Sequence, residues 1–304
     1  MLNEQLARGV GPGRIDIAYE CRGDPTHPPV LLIMGLAAQL VHWPEGFVDA
    51  LVARGLFVVS FDNRDSGHST HLHDAKPADL PAALAGDLSS ASYTLSDMAA
   101  DSVGLLDALR IDAAHLVGAS MGGAIAQTLA IEHPRRVRSL TSMMATTGDM
   151  SVGQIHPATM KSVFGGPPAH TREEVVARAL RASRIIGSPD YPADPAEVAE
   201  VAGLAYDRDH DAEPAIVRQA VASVASGDRT GSLRRLDVPA LVLHGLADTL
   251  CDPSGGRATA AAIPGAELVL IEGMGHDLPR GLWDRLADHI AAIVQRGEAR
   301  ARLR

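Results

Sequence analysis

A series of short apolar runs, each stopped at a polar or glycine boundary and followed by residues with helical spacing, constrains this chain most. Residues 30–34 (VLLIM) stop at Gly35, 57–61 (FVVSF) at Asp62 and 115–117 (HLV) at Gly118. Residues 137–144 (VRSLTSMM) mix apolar and hydroxyl side chains, while 240–243 (ALVL) and 268–271 (LVLI) repeat the first type. Runs this short and this continuously apolar suit strands buried on both faces of a parallel sheet. Residues 14–19 (RIDIAY) alternate instead and read as a half-exposed antiparallel strand. Helical patterns occupy 47–54, 94–109, 121–132, 255–263 and 282–295. Thr94 and Asp97 give the second of these a capping-box start, with the Thr94 hydroxyl on early backbone N–H groups, and Pro134 stops the third. Strand and helix in alternation predict an α/β fold, a mostly parallel doubly wound sheet with right-handed crossovers.

Two stretches break this rhythm. Residues 68–93 are polar and contain proline, as a long loop would. Residues 147–227 are helical without strands: 172–186, 195–206 and 213–225 have helical spacing, punctuated by GGPP at 165–168 and SP at 188–189. An insertion of this length reads as a helical cap over one end of the sheet, the alternative being helices that simply cover a sheet face. The expected division is a core at 1–147, a cap at 148–228 and the rest of the core at 229–304, with a frayed charged tail at 296–304.

Composition narrows the function classes. At 46% hydrophobic and 21% charged residues, a sizeable core can be buried and wholesale disorder is excluded. With 27 basic against 37 acidic side chains the net charge is −10, and no basic stripe favours a nucleic-acid partner. No apolar run approaches the roughly 18–20 residues of a membrane span, and the first residues lack a signal-peptide core. Cys21 and Cys251 alone build no disulfide framework or cysteine zinc module. The expectation is a soluble cytoplasmic protein with a small-molecule partner, no membrane or nucleic-acid partner, and neither cofactor nor metal.

The chemistry gathers around Ser120. Residues 118–122 (GASMG) lie between a predicted buried strand and a predicted helix. A serine there occupies a tight turn that lifts its hydroxyl above the sheet, and the flanking glycines let backbones pass closely. A serine hydroxyl needs a base and an orienting acid. Asp248, in GLAD at 245–248, follows one predicted strand, and His276, in GMGH at 273–276, follows another. All three therefore leave the carboxyl ends of parallel strands, the edge where open α/β sheets place their sites. The chain order Ser120, Asp248, His276 fits that arrangement.

From about residue 14 to 295 the chain resembles serine hydrolases of the α/β-hydrolase superfamily that carry a helical cap. The segments from Leu32 to Trp43-Pro44, 61–65 (FDNRD), Gly122-Gly123 and 273–276 are similar to those of small bacterial carboxylesterases, the aclacinomycin-type anthracycline methylesterases among them. The resemblance implies Ser120 as nucleophile, His276 as general base and then acid, and Asp248 as the group orienting the imidazole. It also implies an oxyanion hole made by the backbone N–H groups of Leu36 and Met121. Two departures stand out. Met34-Gly35 replaces the His-Gly of many relatives, and Asp65 replaces a glycine in the loop 62–69 (DNRDSGHS).

The implied reaction is hydrolysis of a small-molecule carboxylic ester, methyl esters included, through an acyl-enzyme. The same triad also serves carbon–carbon bond hydrolases, lactonases, thioesterases and cofactor-free perhydrolases, and the fold also makes non-catalytic ligand receptors. For a carbon–carbon hydrolase, Arg172, Arg178, Arg181 and Arg184 are the cap residues that could take a substrate carboxylate. Asp252 and Asp149 are the rivals of Asp248 for the acid. His68, His71, His73 and Asp74 read as a solvated loop rather than a metal site, His244 as a residue packed at a strand end, and Cys251 as a plain thiol.

Overall fold

A computed structural model describes residues 3–303 apart from Gly165, Pro167, Pro168 and Asp211, so most of the 165–168 punctuation lies outside the described residues. An eight-stranded sheet forms the centre. Its strands are β1 (Gln5–Val10), β2 (Ile15–Arg22), β3 (Pro29–Ile33), β4 (Phe57–Phe61), β5 (Ala114–Ala119), β6 (Val137–Met143), β7 (Ala240–Gly245) and β8 (Glu267–Ile271). The spatial order is β1-β2-β4-β3-β5-β6-β7-β8, with β2 antiparallel to both its neighbours and β3 to β8 parallel.

The apolar runs are continuous because both sheet faces are covered. Leu31 and Ile33 face one side, packed with Ile125 and Leu129 of α4 (Met121–Glu132) and Met98 and Leu105 of α3 (Leu95–Ala108). Val30 and Leu32 face the other, packed with Phe47 and Leu51 of α1 (Glu45–Ala53) and Leu286 and Ile290 of α11 (Trp283–Ala301). The period of two thus runs between two cores rather than between core and water. β8 departs from the pattern: as the last strand it pairs only with β7, and Leu268 stands exposed despite its apolar type.

Several expectations shift at their edges. β1, with four of its six residues exposed, has no continuous apolar run to betray it. β2 is antiparallel as expected but mostly buried, because it lies between β1 and β4 and the Ser69 hydroxyl also takes the Ala18 N–H. The 68–93 loop holds a short helix, α2 (Leu80–Leu84), and α11 continues through most of the expected frayed tail. At the start of α3 the expected capping box of Thr94 and Asp97 forms, and the Asp97 carboxylate takes both the Thr94 N–H (2.8 Å) and the Thr94 hydroxyl (2.9 Å).

Between β6 and β7 the described residues form helices only: α5 (Pro157–Phe164), α6 (Arg172–Ile186), α7 (Pro195–Arg208), α8 (Ala212–Ala225) and α9 (Thr230–Leu233), followed by the core helix α10 (Ser254–Ala262) after β7. Two buried arginines pin this segment to the loop after β4. Arg208 of α7 pairs with Asp62 and with Glu4. Arg218 of α8 grips Asp65 through two bonds, of 2.8 and 2.7 Å. Asp65 sits at φ 60°, a conformation glycine adopts readily, and also takes the Tyr93 hydroxyl and the Leu72 N–H, each at 2.8 Å. The replacement of the usual glycine by Asp65 is thereby explained: it supplies a buried anchor for α8.

Arg218→Leu removes one partner and leaves a buried carboxylate, so it is expected to destabilise the fold by about 3–5 kcal/mol. The double variant Asp65→Gly/Arg218→Leu removes the charge as well and relaxes the backbone, and should recover part of that loss, the Tyr93 hydroxyl and Leu72 N–H being left without their acceptor. Urea unfolding midpoints of parent, single and double variants test this; a single variant as stable as the parent would show that the pair holds nothing.

Candidate active site

Ser120 stands at φ 55° and ψ −122°, between the end of β5 and the start of α4. A side chain other than glycine rarely adopts this backbone, which marks stored local strain. Neighbouring backbone enforces the turn. A Cβ on Gly118 would lie 2.1 Å from the Gly122 oxygen, and one on Gly122 would lie 1.9 Å from the Ile33 oxygen. Both positions therefore exclude any side chain, and α4 approaches the end of β3 at backbone distance. Ser120 itself is anchored by its N–H on the Met143 oxygen at 2.9 Å.

This close packing brings the backbone just before Leu36 against the start of α4. A Cβ on Gly35 would meet Ser120 Cβ at 3.0 Å and the Met121 nitrogen at 3.6 Å, so the segment leading to Leu36 runs against the elbow. The Met121 N–H, at the first position of α4, has no intrahelical partner. The adjoining Ala37, at φ 63°, is fixed by its N–H on Gln219 Oε1 at 3.1 Å. Gln219 is fully buried in α8 and donates through Nε2 to the Arg64 oxygen at 2.9 Å. The inserted helices therefore brace the loop that carries Leu36.

Asp248 and His276 meet at 2.7 Å, His276 Nδ1 to Asp248 Oδ2. The chain after β8 folds back over the end of β7 to make this possible. Gly273 turns at φ 64°, the Ala247 N–H binds the Met274 oxygen at 2.9 Å, and a Cβ on Gly245 would lie 2.2 Å from that oxygen. Asp248 Oδ1 accepts the N–H groups of Leu250 (2.9 Å) and Cys251 (2.8 Å). Burial alone would raise the Asp248 carboxyl, but the facing imidazoles of His244 and His276, the latter also through its charge, hold it below the usual carboxylate range. The Ser120 hydroxyl and His276 are not hydrogen-bonded to each other; both lie on the carboxyl edge of the sheet, and such bonds are commonly long before substrate binds.

The end of α6 and the residues that follow it clamp the histidine loop. His276 N–H donates to the Ile186 oxygen at 2.6 Å, and Gly275 N–H donates to Ser188 Oγ at 2.9 Å. The Ser188 hydroxyl in turn donates to Asp277. No sequence signal marked Ser188 or Gln219, because each acts on residues far along the chain.

The remaining candidates separate. Asp252 is exposed and takes the Ser254 N–H at 2.9 Å; Asp149 takes the Ser151 N–H and hydroxyl at 2.8 and 2.7 Å. Among the described residues neither is bonded to His276, whereas Asp248 is. His68 pairs with Glu4 at 2.6 Å, and His71 donates to the Gly67 oxygen at 3.0 Å while stacking on His73. Burial, followed by Asp248 and Asp252, pushes the Cys251 thiol up, away from the reactive thiolate. Arg172 pairs with Asp207 and Arg178 with Glu213, while Arg181 and Arg184 lie exposed. His244 is fully buried at the end of β7, as expected, and there also contacts Cys251 and Asp248.

Residues 28–279 match the family described as alpha/beta hydrolase fold. The chain is 32% identical over 288 residues to rhodomycin D methylesterase DnrP of Streptomyces peucetius, covering 89% of this chain and 92% of that protein. Among solved structures it is similar to the esterase RhEst1 from Rhodococcus sp. ECU1013 (TM-score 0.73, 21% identity, covering 97% of this chain and 99% of that one). It is also similar to the enol-lactonase from Burkholderia xenovorans LB400 (TM-score 0.71, 23% identity, covering 96% and 100%).

Proposed function

The chain belongs to the α/β-hydrolase fold family, and from that premise we propose that it hydrolyses a small-molecule carboxylic ester, methyl esters included, through an acyl-enzyme on Ser120. The observation that carries this reading is the strained Ser120 turn sharing its sheet edge with the His276–Asp248 pair. The similarity to a rhodomycin D methylesterase over most of both chains supports an ester as substrate.

In this reading His276 takes the Ser120 proton as the oxygen attacks the ester carbonyl. The Leu36 and Met121 amides receive the developing oxyanion, each donor being worth about 2.7–4 kcal/mol in comparable sites. His276 then protonates the departing alcohol, and water repeats the steps to release the acid. Asp248 holds the imidazole with Nδ1 protonated, so that Nε2 is the accepting atom. Residues 148–228 serve as a helical cap on a core of 1–147 and 229–304, and the cap's grip on Ala37 and on the histidine loop makes it part of the site's framework. The pairing of Arg172 and Arg178 with acidic partners counts against a carbon–carbon hydrolase that needs those guanidinium groups for a substrate carboxylate. Among the described residues no helix is long and apolar enough to cross a membrane, and two unbridged cysteines fit a reducing cytoplasm.

Turnover of purified protein on a panel of methyl and p-nitrophenyl esters, thioesters, lactones and dienoates tests the assignment. Multiple turnovers with kcat/KM highest on an ester are expected. Preference for a dienoate would replace the esterase reading with the carbon–carbon hydrolase, and single-turnover labelling without product release would favour a receptor.

A further inference from the structure

His244 lies in β7 with its side chain fully buried, four residues before Asp248. The turn that begins at Gly245 brings Asp248 back over it, with the Asp248 N–H on the Gly245 oxygen at 3.4 Å. His244 Nε2 is 2.8 Å from the Cys251 oxygen and 3.3 Å from Asp248 Oδ2. Both neighbours are acceptors, so the proton is on Nε2. Nδ1 has no partner and sits against α10, where a Cβ on Gly256 would lie 2.5 Å from it. A buried orphan nitrogen is costly, and a backbone glycine is needed to fit the ring. An apolar side chain would fill this strand-end site without either cost. The ring's one engaged edge faces the carboxylate that holds His276.

We propose that His244 is a positioning residue for the reaction: its Nε2–H holds the Cys251 carbonyl, whose residue's N–H in turn binds Asp248 Oδ1, and its positive edge faces Oδ2, so that the carboxylate presents the correct lone pair to His276. This rests on the triad reading above. The carboxylate then has Leu250 and Cys251 on Oδ1 and His276 on Oδ2, with the His244 Nε2–H, bonded to the Cys251 oxygen, facing Oδ2 at 3.3 Å. Without His244, Oδ2 keeps only His276, and the carboxylate is freer to rotate about χ2 and lengthen the His276 bond.

The test uses the full chain and a p-nitrophenyl ester. His244→Leu removes the donor, whereas His244→Gln places an amide N–H at the same number of bonds from Cα. The leucine variant should lose about ten- to a hundredfold in kcat with KM within about twofold, the scale seen when groups that orient an active-site ligand are removed. The glutamine variant should recover to within about threefold of the parent. Added to Asp248→Asn, His244→Leu should cost nothing further, because it acts through the carboxylate already removed. If the leucine variant does not fold, His244→Asn, whose amide is one bond too short, takes its place with the same expectation. Parent-like kcat in the leucine variant while Asp248→Asn is slow would overturn the proposal alone. So would an undiminished loss on top of Asp248→Asn, which marks a structural role. A parent-like rate in Asp248→Asn would instead overturn the triad reading itself.

Discussion

Replacing Ser120 by alanine is expected to lower kcat by about 10^4- to 10^6-fold, the range found when a triad nucleophile is removed and only binding and oxyanion donors remain. The fold should survive. Alanine keeps the Cβ that the φ 55° turn already tolerates, and the bonds holding that turn are made by backbone: Ser120 N–H to the Met143 oxygen, and the Gly123 N–H to the Ser120 oxygen. The hydroxyl itself is bonded to nothing among the described residues, so its loss breaks no structural contact. Unfolding midpoints should therefore agree within about 0.5 kcal/mol, as for a substitution that removes no packing or hydrogen bond. Initial rates on a p-nitrophenyl ester, read beside covalent labelling by an organophosphonate, check the prediction. A variant with parent-level turnover would remove the acyl-enzyme mechanism whatever the fold.

The central part of the scaffold was legible in the sequence because its signals are local. Continuous apolar runs such as 57–61 need only the covering of both faces, and the GASMG segment reads as a turn because Gly118 and Gly122 leave room only for backbone. The order Ser120, Asp248, His276 follows from which strands those residues terminate. What stayed hidden is held by contacts between distant segments. Asp65 looks like a departure from a glycine loop until Arg218, 153 residues later, is seen on it. Gln219 looks like an ordinary helix residue until its amide is found bracing Ala37 and Arg64. β1 was missed for a different reason: an exposed edge strand needs few apolar residues, so periodicity has little to register. His244 packs at its strand end as expected, but its approach to Asp248 stayed hidden because a strand-end histidine and a carboxylate four residues on meet only if the intervening turn doubles back, which spacing alone does not specify.

Asp248→Asn is expected to lower kcat by about 10^4-fold through the tautomer of His276 rather than through lost packing. The geometry dictates which way the amide must turn. Oδ1 of Asp248 receives two backbone N–H groups, from Leu250 at 2.9 Å and Cys251 at 2.8 Å. In the variant those two donors select the amide oxygen, since turning the NH2 group toward them would set donors against donors. The NH2 group is then left facing His276 Nδ1 and His244 Nε2. To accept from it, His276 must move its proton from Nδ1 to Nε2, the one atom that has to accept the proton of Ser120. The imidazole is thus held in place but presents a donor where the reaction needs a base, so kcat should fall while KM changes little. His244, whose Nε2–H already donates to the Cys251 oxygen, cannot relieve the clash by becoming an acceptor without giving up that bond. The kcat and KM of Asp248→Asn on a p-nitrophenyl ester, with the nucleophile intact, measure this directly. A rate near that of the parent would mean that another carboxylate orients His276. Asp252 and Asp149 would then have to abandon the Ser254 and Ser151 turns they now close.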